Sequence, residues 1–578
     1  MAVQHLNYMK IINFFKNNKV LAAILILAAV VRLWNLNNVP PHLTPDEAAL
    51  GYNAYSILKT GRDEHGKFLP LVFKSFGDYK PGLYVYATMP FVATLGLNEW
   101  SVRLPSAISG IIIVYLFYLI TKRLFNKSYE LGVVSALVAA TNPWLITFSR
   151  GAWEVNLSLM LTLLGIYLFL NALNDNKYLL YSALSFALTF IAYQGAKLST
   201  GIVVLLLGII YWKEFWKIES KVIIKSIVVG LVVVSPILLS IVNGQSGRLE
   251  VFSVFSYPRS AEYVQNMLNE GNEKIGDINY YLYHGESYNF LRGVLGRFFN
   301  HFSGRFLFFE GDFSNPRHSA PYQGQLLLID LVLLIAGLIY IVRNYQLYPK
   351  SYTLILFWLV LAPLPAILSR DQVHAVRSLN MAVPLIIISS FGLYYLVNLF
   401  KDNKYKLFFY ILCTIFYILS FLYFIDAYFV HLLKHQSKLW EYGYKQIVET
   451  VMPIQNNYKK VVVQQSFAQP YIYFLFFYAA GGTSGHDRYD PAKYQSENSY
   501  VNSENKLDVG YVTKIDNVYF EAIDWSRNRG DHGVLFVADT LRIPPLDSND
   551  EREFKLVKEI KYLDNLNTAF RILEVKNK

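Results

Sequence analysis

The chain has 578 residues, of which 54% are hydrophobic and only 16% are charged, and its formal net charge is +11. Soluble domains average about 25% charged residues, so this composition excludes an ordinary soluble enzyme and indicates an integral membrane protein. The positive charges lie mostly in short loops between apolar runs, so we expect no nucleic-acid partner. The one cysteine, Cys413, lies in an apolar run, which excludes internal disulfides and thiolate metal sites.

Apolar runs along the chain predict about eleven membrane-spanning helices, since roughly 20 apolar residues cross a hydrocarbon core about 30 Å thick. These runs lie near 18–36, 101–121, 130–148, 154–173, 178–194, 198–212, 222–242, 325–342, 351–368, 378–400 and 406–426. Lys and Arg occupy every second loop, for example Lys122, Arg123, Arg343 and Lys350, so those loops are expected to face the cytoplasm. We therefore expect a multi-pass protein of the cell membrane.

Three large segments would then lie on the extracytoplasmic side: 37–100, 243–323 and 427–578. We expect a transmembrane domain over residues 1–426 and a small α/β domain over 427–578. In the second domain, the pattern predicts strands at 460–465, 517–523, 533–539, 554–560 and 569–575, and a helix at 437–452. Because the predicted cytoplasmic loops are all short, the active site and the C-terminal domain are expected outside.

The first external loop begins with a helix start that contains two neighbouring acids. Thr44 is a good N-cap, Pro45 suits the first helical position and Glu47 can cap reciprocally, so we expect a helix from Pro45 to about Lys59 that ends at Gly61. This capping explains Glu47 without any catalytic role, and both interpretations of Glu47 stay open. Successive helical residues point about 100° apart, so the two carboxylates cannot share one task, and Asp46 is the candidate catalytic group.

Lys80 precedes Pro81 at the expected start of a second juxtamembrane helix that reaches about Leu97. An interfacial lysine often extends its charge to the membrane surface while its methylene groups stay in an apolar environment. Lys80 is therefore either such an interfacial lysine or part of a binding site.

Three motifs of this region resemble the protein O-mannosyltransferase and aminoarabinose-transferase superfamily. They are Thr44-Pro45-Asp46-Glu47-Ala48, Gly77-Asp78-Tyr79-Lys80-Pro81 and Val102-Arg103-Leu104-Pro105-Ser106. The resemblance covers roughly residues 15–425 and is nearest to bacterial members of glycosyltransferase family 39. It implies a GT-C fold with external juxtamembrane helices, and a polyprenyl-phosphate sugar as donor.

The resemblance also implies roles for individual residues. The first acid of the family motif, its expected catalytic base, corresponds to Asp46, and a second acidic position corresponds to Glu154 in Ser149-Arg150-Gly151-Ala152-Trp153-Glu154. The lysine that contacts the lipid phosphate corresponds to Lys80, although Gly82 stands where many relatives have a second proline. Glu154 also has a purely structural interpretation, since an acid at a helix N-terminus is stabilised by the helix dipole.

Transfer from a polyprenyl phosphate requires one base for the acceptor hydroxyl and cations for the phosphate leaving group, and it inverts the anomeric carbon. The candidate cations outside the first loop are Arg370, His374 and Arg377 in one loop, with Arg317 and His318 in another. They can instead bind lipid headgroups. Weaker candidates for contact with the sugar or the acceptor are Tyr52, Asp78, Tyr79 and Trp153.

The sequence contains no HExxH, CxxC or carboxylate cluster with metal-ligand spacing, and no glycine-rich phosphate loop. We therefore predict a metal-independent enzyme without a cofactor, whose partners are the bilayer, a polyprenyl-phosphate-linked sugar and an acceptor glycan, lipid or protein.

Other functions stay open. A flippase or transporter of lipid-linked saccharides would keep ionisable residues near the middle of its spans, where this sequence has almost none except Asp330. A ligase or polymerase of whole lipid-linked oligosaccharides fits the same features. A sugar receptor that uses the C-terminal domain would leave the membrane-proximal motifs unexplained.

Overall fold

The computed structural model describes residues 18–576, apart from 77, 127, 244–252, 257, 400–403, 468, 482–489, 498–499, 502–510 and 547–549. Gly77 of the second motif therefore lies outside the described residues. The membrane part contains helices α1 Lys19–Leu33, α2 Pro45–Thr60, α3 Leu83–Leu95, α4 Glu99–Leu124, α5 Tyr129–Thr141, α6 Pro143–Ser149, α7 Glu154–Ala172, α8 Tyr178–Ala192, α9 Ala196–Ile210, α10 Trp212–Phe215, α11 Ser220–Val242, α12 Ala261–Gly271, α13 Glu286–His301, α14 Asp330–Asn344, α15 Pro349–Leu361, α16 Leu364–Ile367, α17 Ala382–Leu399, α18 Lys406–Asp426 and α19 Leu432–His435.

Seven helical runs of the described residues are long and apolar enough to cross a membrane. They are Glu99–Leu124, Glu154–Ala172, Ser220–Val242, Asp330–Leu347, Pro349–Ile367, Leu379–Leu399 and Lys406–His435. Helices α5 and α6 form an eighth candidate, bent by 59° at Asn142, and α8 and α9 are apolar but shorter. The predicted apolar runs are all helical, and the count of eleven spans stays a prediction.

Helix α4 lies at the centre of this bundle and packs against α1, α2, α3, α5 and α7. Helix α2 begins with the predicted capping box and ends at Gly61, whose φ of 71° suits glycine. After α2, a short antiparallel hairpin of β1 Val72–Ser75 and β2 Asp78–Pro81 leads into α3. The first loop is therefore an ordered layer of two helices and a hairpin at one end of the bundle.

The loops that were predicted to be cytoplasmic lie together at one end of the bundle. Arg123 Nη2 donates to Leu170 O at 2.8 Å, and Ser351 Oγ donates to Leu124 O at 2.9 Å. Lys350 pairs with Glu214 in the same region. These contacts agree with the alternation of loops that the charge pattern predicts.

The C-terminal part is built on a six-stranded sheet in the order β6-β7-β3-β8-β10-β9, in which β3 is parallel to both its neighbours and the other pairs are antiparallel. Its strands are β3 Lys460–Val463, β6 Lys514–Ile515, β7 Val518–Phe520, β8 Val534–Ala538, β9 Phe554–Lys561 and β10 Thr568–Val575, and β4 Tyr500–Val501 pairs separately with β5 Tyr511–Val512. The helices are α20 Tyr444–Val451, α21 Tyr471–Ala479, α22 Pro491–Glu497, α23 Trp525–Asn528 and α24 Asp550–Glu553. All five predicted strands are present, and the predicted helix 437–452 begins later, at Tyr444.

The boundary between the two parts differs from the predicted position at residue 426. The last span continues through a π-helical turn at Ala427–His431 to His435. Glu441 and Gly443 then have φ angles of 53° and 121°, which no helix accommodates, so α20 cannot start earlier. The residues 436–443, which we call the connector, form a separate segment between the span and α20.

Helix α21, which was not predicted from the sequence, joins the C-terminal part to the first loop. All nine of its residues are buried, as expected for a helix that is apolar on every side, and it packs on α2. Tyr471 Oη donates to Glu64 Oε2 at 3.2 Å, and Asn53 Nδ2 donates to Glu64 Oε1 at 3.2 Å. Burial raises the pKa of Glu64 to about 7. The C-terminal part is thus anchored directly on the layer that carries Asp46.

Candidate functional site

Asp46 and Lys80 form the centre of the candidate site. Asp46 occupies the second position of α2 and Lys80 lies on β2, and their side chains meet with an Oδ1–Nζ distance of 2.5 Å. The Asp46 side chain is 61% exposed and that of Lys80 is 25% exposed, so the carboxylate stays open to incoming molecules. The two residues that the resemblance assigns to base and phosphate contact are therefore adjacent.

Two further acids act on Lys80. Burial alone lowers the pKa of Lys80, but Asp46, Glu154 and Asp78 raise it above its ordinary value, so the ammonium stays charged. Glu154 is the first residue of α7, and its Oε1 is buried without a hydrogen-bond partner among the described residues. Asp78 Oδ1 accepts a hydrogen bond from the backbone N–H of Tyr79 at 2.7 Å. Three acids on separate elements therefore interact electrostatically with the charge of Lys80.

Glu47 has the structural role that its capping position predicts. Its Oε2 accepts from Thr44 N at 2.8 Å, and its Oε1 accepts from Ala152 N at 2.8 Å and from Arg103 Nε at 3.0 Å. The residue is 3% exposed. Because both oxygens are occupied, the structure supports the capping interpretation of Glu47 over the catalytic one.

Two buried arginines fix the chain between α1 and α2. Arg103 Nη1 donates to Leu36 O at 2.8 Å and its Nη2 donates to His42 O at 2.7 Å. Arg150 Nη1 donates to Val31 O at 2.7 Å. Both arginines belong to the sequence motifs, but no role was predicted for either. A signal was available for Arg103, because an arginine inside an apolar helix must find buried partners.

The loop 369–378 carries Arg370 and Arg377, two of the predicted phosphate-binding cations. Arg377 Nη1 donates to Asp371 Oδ2 at 3.2 Å, and Tyr193 lies within electrostatic range of both Arg377 and Glu154. Arg370 is exposed on the same loop, and its carbonyl accepts from Arg297 Nη2 at 3.0 Å. Of these two arginines, Arg377 is therefore the better candidate for phosphate binding.

The surroundings of His318 and His374 favour their neutral forms, which opposes the predicted role of these side chains as cations. Burial lowers the pKa of both imidazoles, and the neighbouring Arg377 lowers it further in each case. His318 Nδ1 lies 2.9 Å from Asp312 Oδ2, which also accepts from Ala375 N at 2.7 Å. These two side chains can offer hydrogen bonds to a phosphate but no positive charge. Arg317, beside His318, keeps the role of a candidate cation.

Asp312, His318 and His374 could hold a metal ion, because their candidate ligand atoms lie within 4.8 Å of one another. Asp312 already accepts from His318 and from two backbone N–H groups, those of Asn315 and Ala375. The positive charge of Arg377 beside both histidines opposes a cation as it opposes a proton. Metal independence stays a prediction.

The weaker candidates for contact with the sugar or acceptor lie in different places. Tyr52 is fully buried in the core between the first loop and α21, so the prediction of a substrate contact there is wrong. Asp78 and Tyr79 adjoin Lys80 on β2, and the Trp153 ring meets that of His318 edge-on at 5.3 Å. Trp153, Asp78 and Tyr79 therefore remain candidates.

Comparison with known proteins gives three findings. Residues 80–239 match the family described as dolichyl-phosphate-mannose-protein mannosyltransferase. Over 205 residues, the chain is 26% identical to a Bacillus subtilis (strain 168) protein named "Putative mannosyltransferase YycA"; this covers 34% of the chain and only 29% of that protein. The whole fold is similar to ArnT from Cupriavidus metallidurans bound to undecaprenyl phosphate, with a TM-score of 0.52 at 11% identity over 96% of this chain and 98% of that one.

The fold and the site together define a polytopic helical membrane protein of the GT-C type with a C-terminal sheet. The predicted resemblance is confirmed in two respects, since residues 80–239 match the mannosyltransferase family and the fold is similar to that of ArnT.

The buried pair of Glu47 and Arg103 gives a first prediction. In Arg103→Met, the Glu47 carboxylate loses its buried countercharge, so we expect the protein to lose about 3–5 kcal/mol of stability. The thermal midpoint of the purified protein in detergent measures this loss. Arg527→Met is the matched control, because the Arg527 side chain is 86% exposed. Equal midpoints for both variants would contradict the structural role of the pair.

Proposed function

We propose that the protein is an inverting glycosyltransferase that moves a sugar from a polyprenyl-phosphate carrier to an acceptor hydroxyl on the extracytoplasmic side. The observation that carries this proposal is the contact of Asp46 with Lys80 on an accessible surface, 2.5 Å apart. Several residues of the matched family region, Lys80, Trp153 and Glu154, contribute to the same site. The undecaprenyl phosphate bound to ArnT supports a donor of this class.

The residues fit the demands of the reaction. Asp46 takes the proton of the acceptor hydroxyl while the oxygen attacks the anomeric carbon, and the bond to the phosphate breaks on the opposite face. The leaving group is a phosphate anion, which needs positive charge rather than a proton. Lys80 and Arg377 supply that charge, with Arg317 as a further candidate. Glu154, at the start of α7, helps to keep the Lys80 ammonium charged.

The location on the outer side rests on the charge pattern. Arg123 and Lys350 belong to loops that lie at one end of the bundle. Asp46 belongs instead to the ordered layer of the first loop, on which α21 packs. Since the positively charged loops are expected in the cytoplasm, the layer with Asp46 faces outward.

Asp330 is the residue on which the transporter alternative mainly depends. Asp330 was predicted to lie inside a span, but it is the first residue of α14, where its Oδ2 accepts from Leu327 N at 3.0 Å. An acid at the start of a span, and not in its middle, differs from the midplane ionisable group that an ion-coupled transporter uses. A ligase or polymerase of lipid-linked oligosaccharides differs only in the size of the transferred glycan.

Asp46→Asn tests the base. Because asparagine keeps the shape but cannot accept the proton, we expect turnover to fall by about 10²- to 10⁴-fold with an unchanged thermal midpoint. The assay uses purified protein with a panel of polyprenyl-phosphate sugars, and with nucleotide sugars as negative controls. Asp175→Asn, in a loop distant from the site, is the control. Wild-type turnover in Asp46→Asn would remove the base assignment.

Lys80→Ala and Arg377→Ala test the phosphate contacts. A lost charge-assisted hydrogen bond should raise the KM for the donor by about tenfold or more, while the KM for the acceptor changes little. Lys59→Ala, an exposed lysine at the end of α2, is the control. Unchanged donor kinetics in both variants would refute the phosphate-binding role.

We also propose that the transfer reaction does not require a metal ion. We expect transfer to continue at the wild-type rate after treatment with EDTA, because Lys80 and Arg377 provide the positive charge that a metal would otherwise supply. The measurement is turnover before and after chelation, followed by added Zn²⁺, Mg²⁺ or Mn²⁺. Activity that is lost on chelation and restored by one ion, but not in Asp312→Asn, would assign a metal to the Asp312 cluster.

A further inference from the structure

The connector runs across the loop that carries Arg317 and His318. Gln436 Nε2 donates to the carbonyl oxygens of Pro316 at 3.1 Å and Ser319 at 3.2 Å. Trp440 is 1% exposed, and its ring meets that of Trp153 edge-on at 6.5 Å. The connector is therefore fixed against the candidate site by two of its own side chains.

This placement brings a further acid, Glu441, to the site. Its carboxyl group lies within electrostatic range of Arg317 and Asp46. Its backbone has a φ of 53°, a region that side chains other than Gly, Asn and Asp rarely adopt. No role was predicted for Glu441, which lies in the segment 437–452 that was expected to be helical.

The hydrogen bonds of Tyr473 show how Glu441 is held. Tyr473 Oη lies 3.0 Å from Leu43 O and 3.0 Å from Glu441 Oε2. Because a phenol has one proton, the Tyr473 hydroxyl is shared between these two acceptors, so the carboxyl group keeps hydrogen-bonding capacity for another partner. Burial, opposed by Arg317 and Tyr473, raises the pKa of Glu441 to about 7. Near neutral pH the carboxyl group can therefore both donate and accept hydrogen bonds.

A carboxyl group at this position suits a neutral alcohol and not a phosphate. The donor phosphate is attracted by cations such as Lys80 and Arg377, whereas a carboxyl group that carries its proton offers it no positive charge. An acceptor hydroxyl needs a hydrogen-bond partner on each side to present its oxygen correctly, and Asp46 provides only one. Glu441 lies near enough to Asp46 for the two acids to interact.

We propose that Glu441 is the acceptor-binding carboxyl group of the site, through which the connector and the C-terminal domain select a hydroxyl-bearing, uncharged acceptor group. This inference rests on the proposed function. It gives the C-terminal domain a role in acceptor choice, because the domain is joined to Glu441 through the bond from Tyr473 on α21.

The experiment compares Glu441→Ala, Glu441→Gln and the control Glu449→Gln, which lies on α20 beyond the connector. The probes are a serine- and threonine-containing peptide, an alkyl glucoside and the same glucoside carrying a phosphate. For the uncharged acceptor that the wild type uses, the KM should rise about tenfold in Glu441→Ala, as expected for a lost hydrogen bond. It should stay within about threefold in Glu441→Gln, since an amide also donates and accepts. The donor KM and the slow hydrolysis of the donor by water should not change in either variant.

A wild-type acceptor KM in Glu441→Ala overturns the inference, as does an equal rise in donor and acceptor KM. A thermal midpoint that falls in Glu441→Ala together with both constants would identify a purely structural residue and also overturns it. Failure of the proposed function looks different: the wild type would then neither transfer nor hydrolyse any polyprenyl-phosphate sugar, and Asp46→Asn would make no difference.

Discussion

The geometry of the site depends on the buried ion pair of Glu47 and Arg103. Arg103 belongs to the central helix α4, and through Glu47 it fixes the first turn of α2, where Asp46 is the preceding residue. The same guanidinium binds the carbonyls of Leu36 and His42, so the approach of the chain to α2 is also set. A buried pair contributes little net stability but is costly to break, which suits a contact whose task is to fix a position. Asp46 can then stay exposed and still be held in place.

The local structure could be predicted from the sequence wherever the signal was local. The start and end of α2 followed from Thr44, Pro45, Glu47 and Gly61, and the strands of the C-terminal sheet followed from short β-branched runs. The adjacency of Asp46 and Lys80 came from the resemblance rather than from spacing, because 34 residues separate them and the β1–β2 hairpin that joins them has no strong turn signal. The helix α21 escaped prediction because its uniform apolar sequence has no period that distinguishes a helix from a buried strand.

The chemical state of the site was less predictable, because it depends on neighbours that are distant in sequence. Burial and Arg377 favour the neutral forms of His318 and His374, and the sequence around either residue does not reveal that burial. Glu47 could be identified as a cap, but its bonds to Arg103 and Ala152 required the packing of α4 and the segment before α7. Tyr52 is buried in the core that the first loop shares with α21, so its exclusion from the site required the C-terminal part to be in place.

The pair of Asp46 and Lys80 also links the two halves of the proposed reaction. In the ion pair, the Lys80 ammonium binds Oδ1 of the Asp46 carboxylate. In the proposed reaction, a donor phosphate that binds Lys80 competes with Asp46 for the same ammonium. The proposed base is thereby released from its ion pair when the donor is bound, and an acceptor held near Glu441 would meet it in the complete complex.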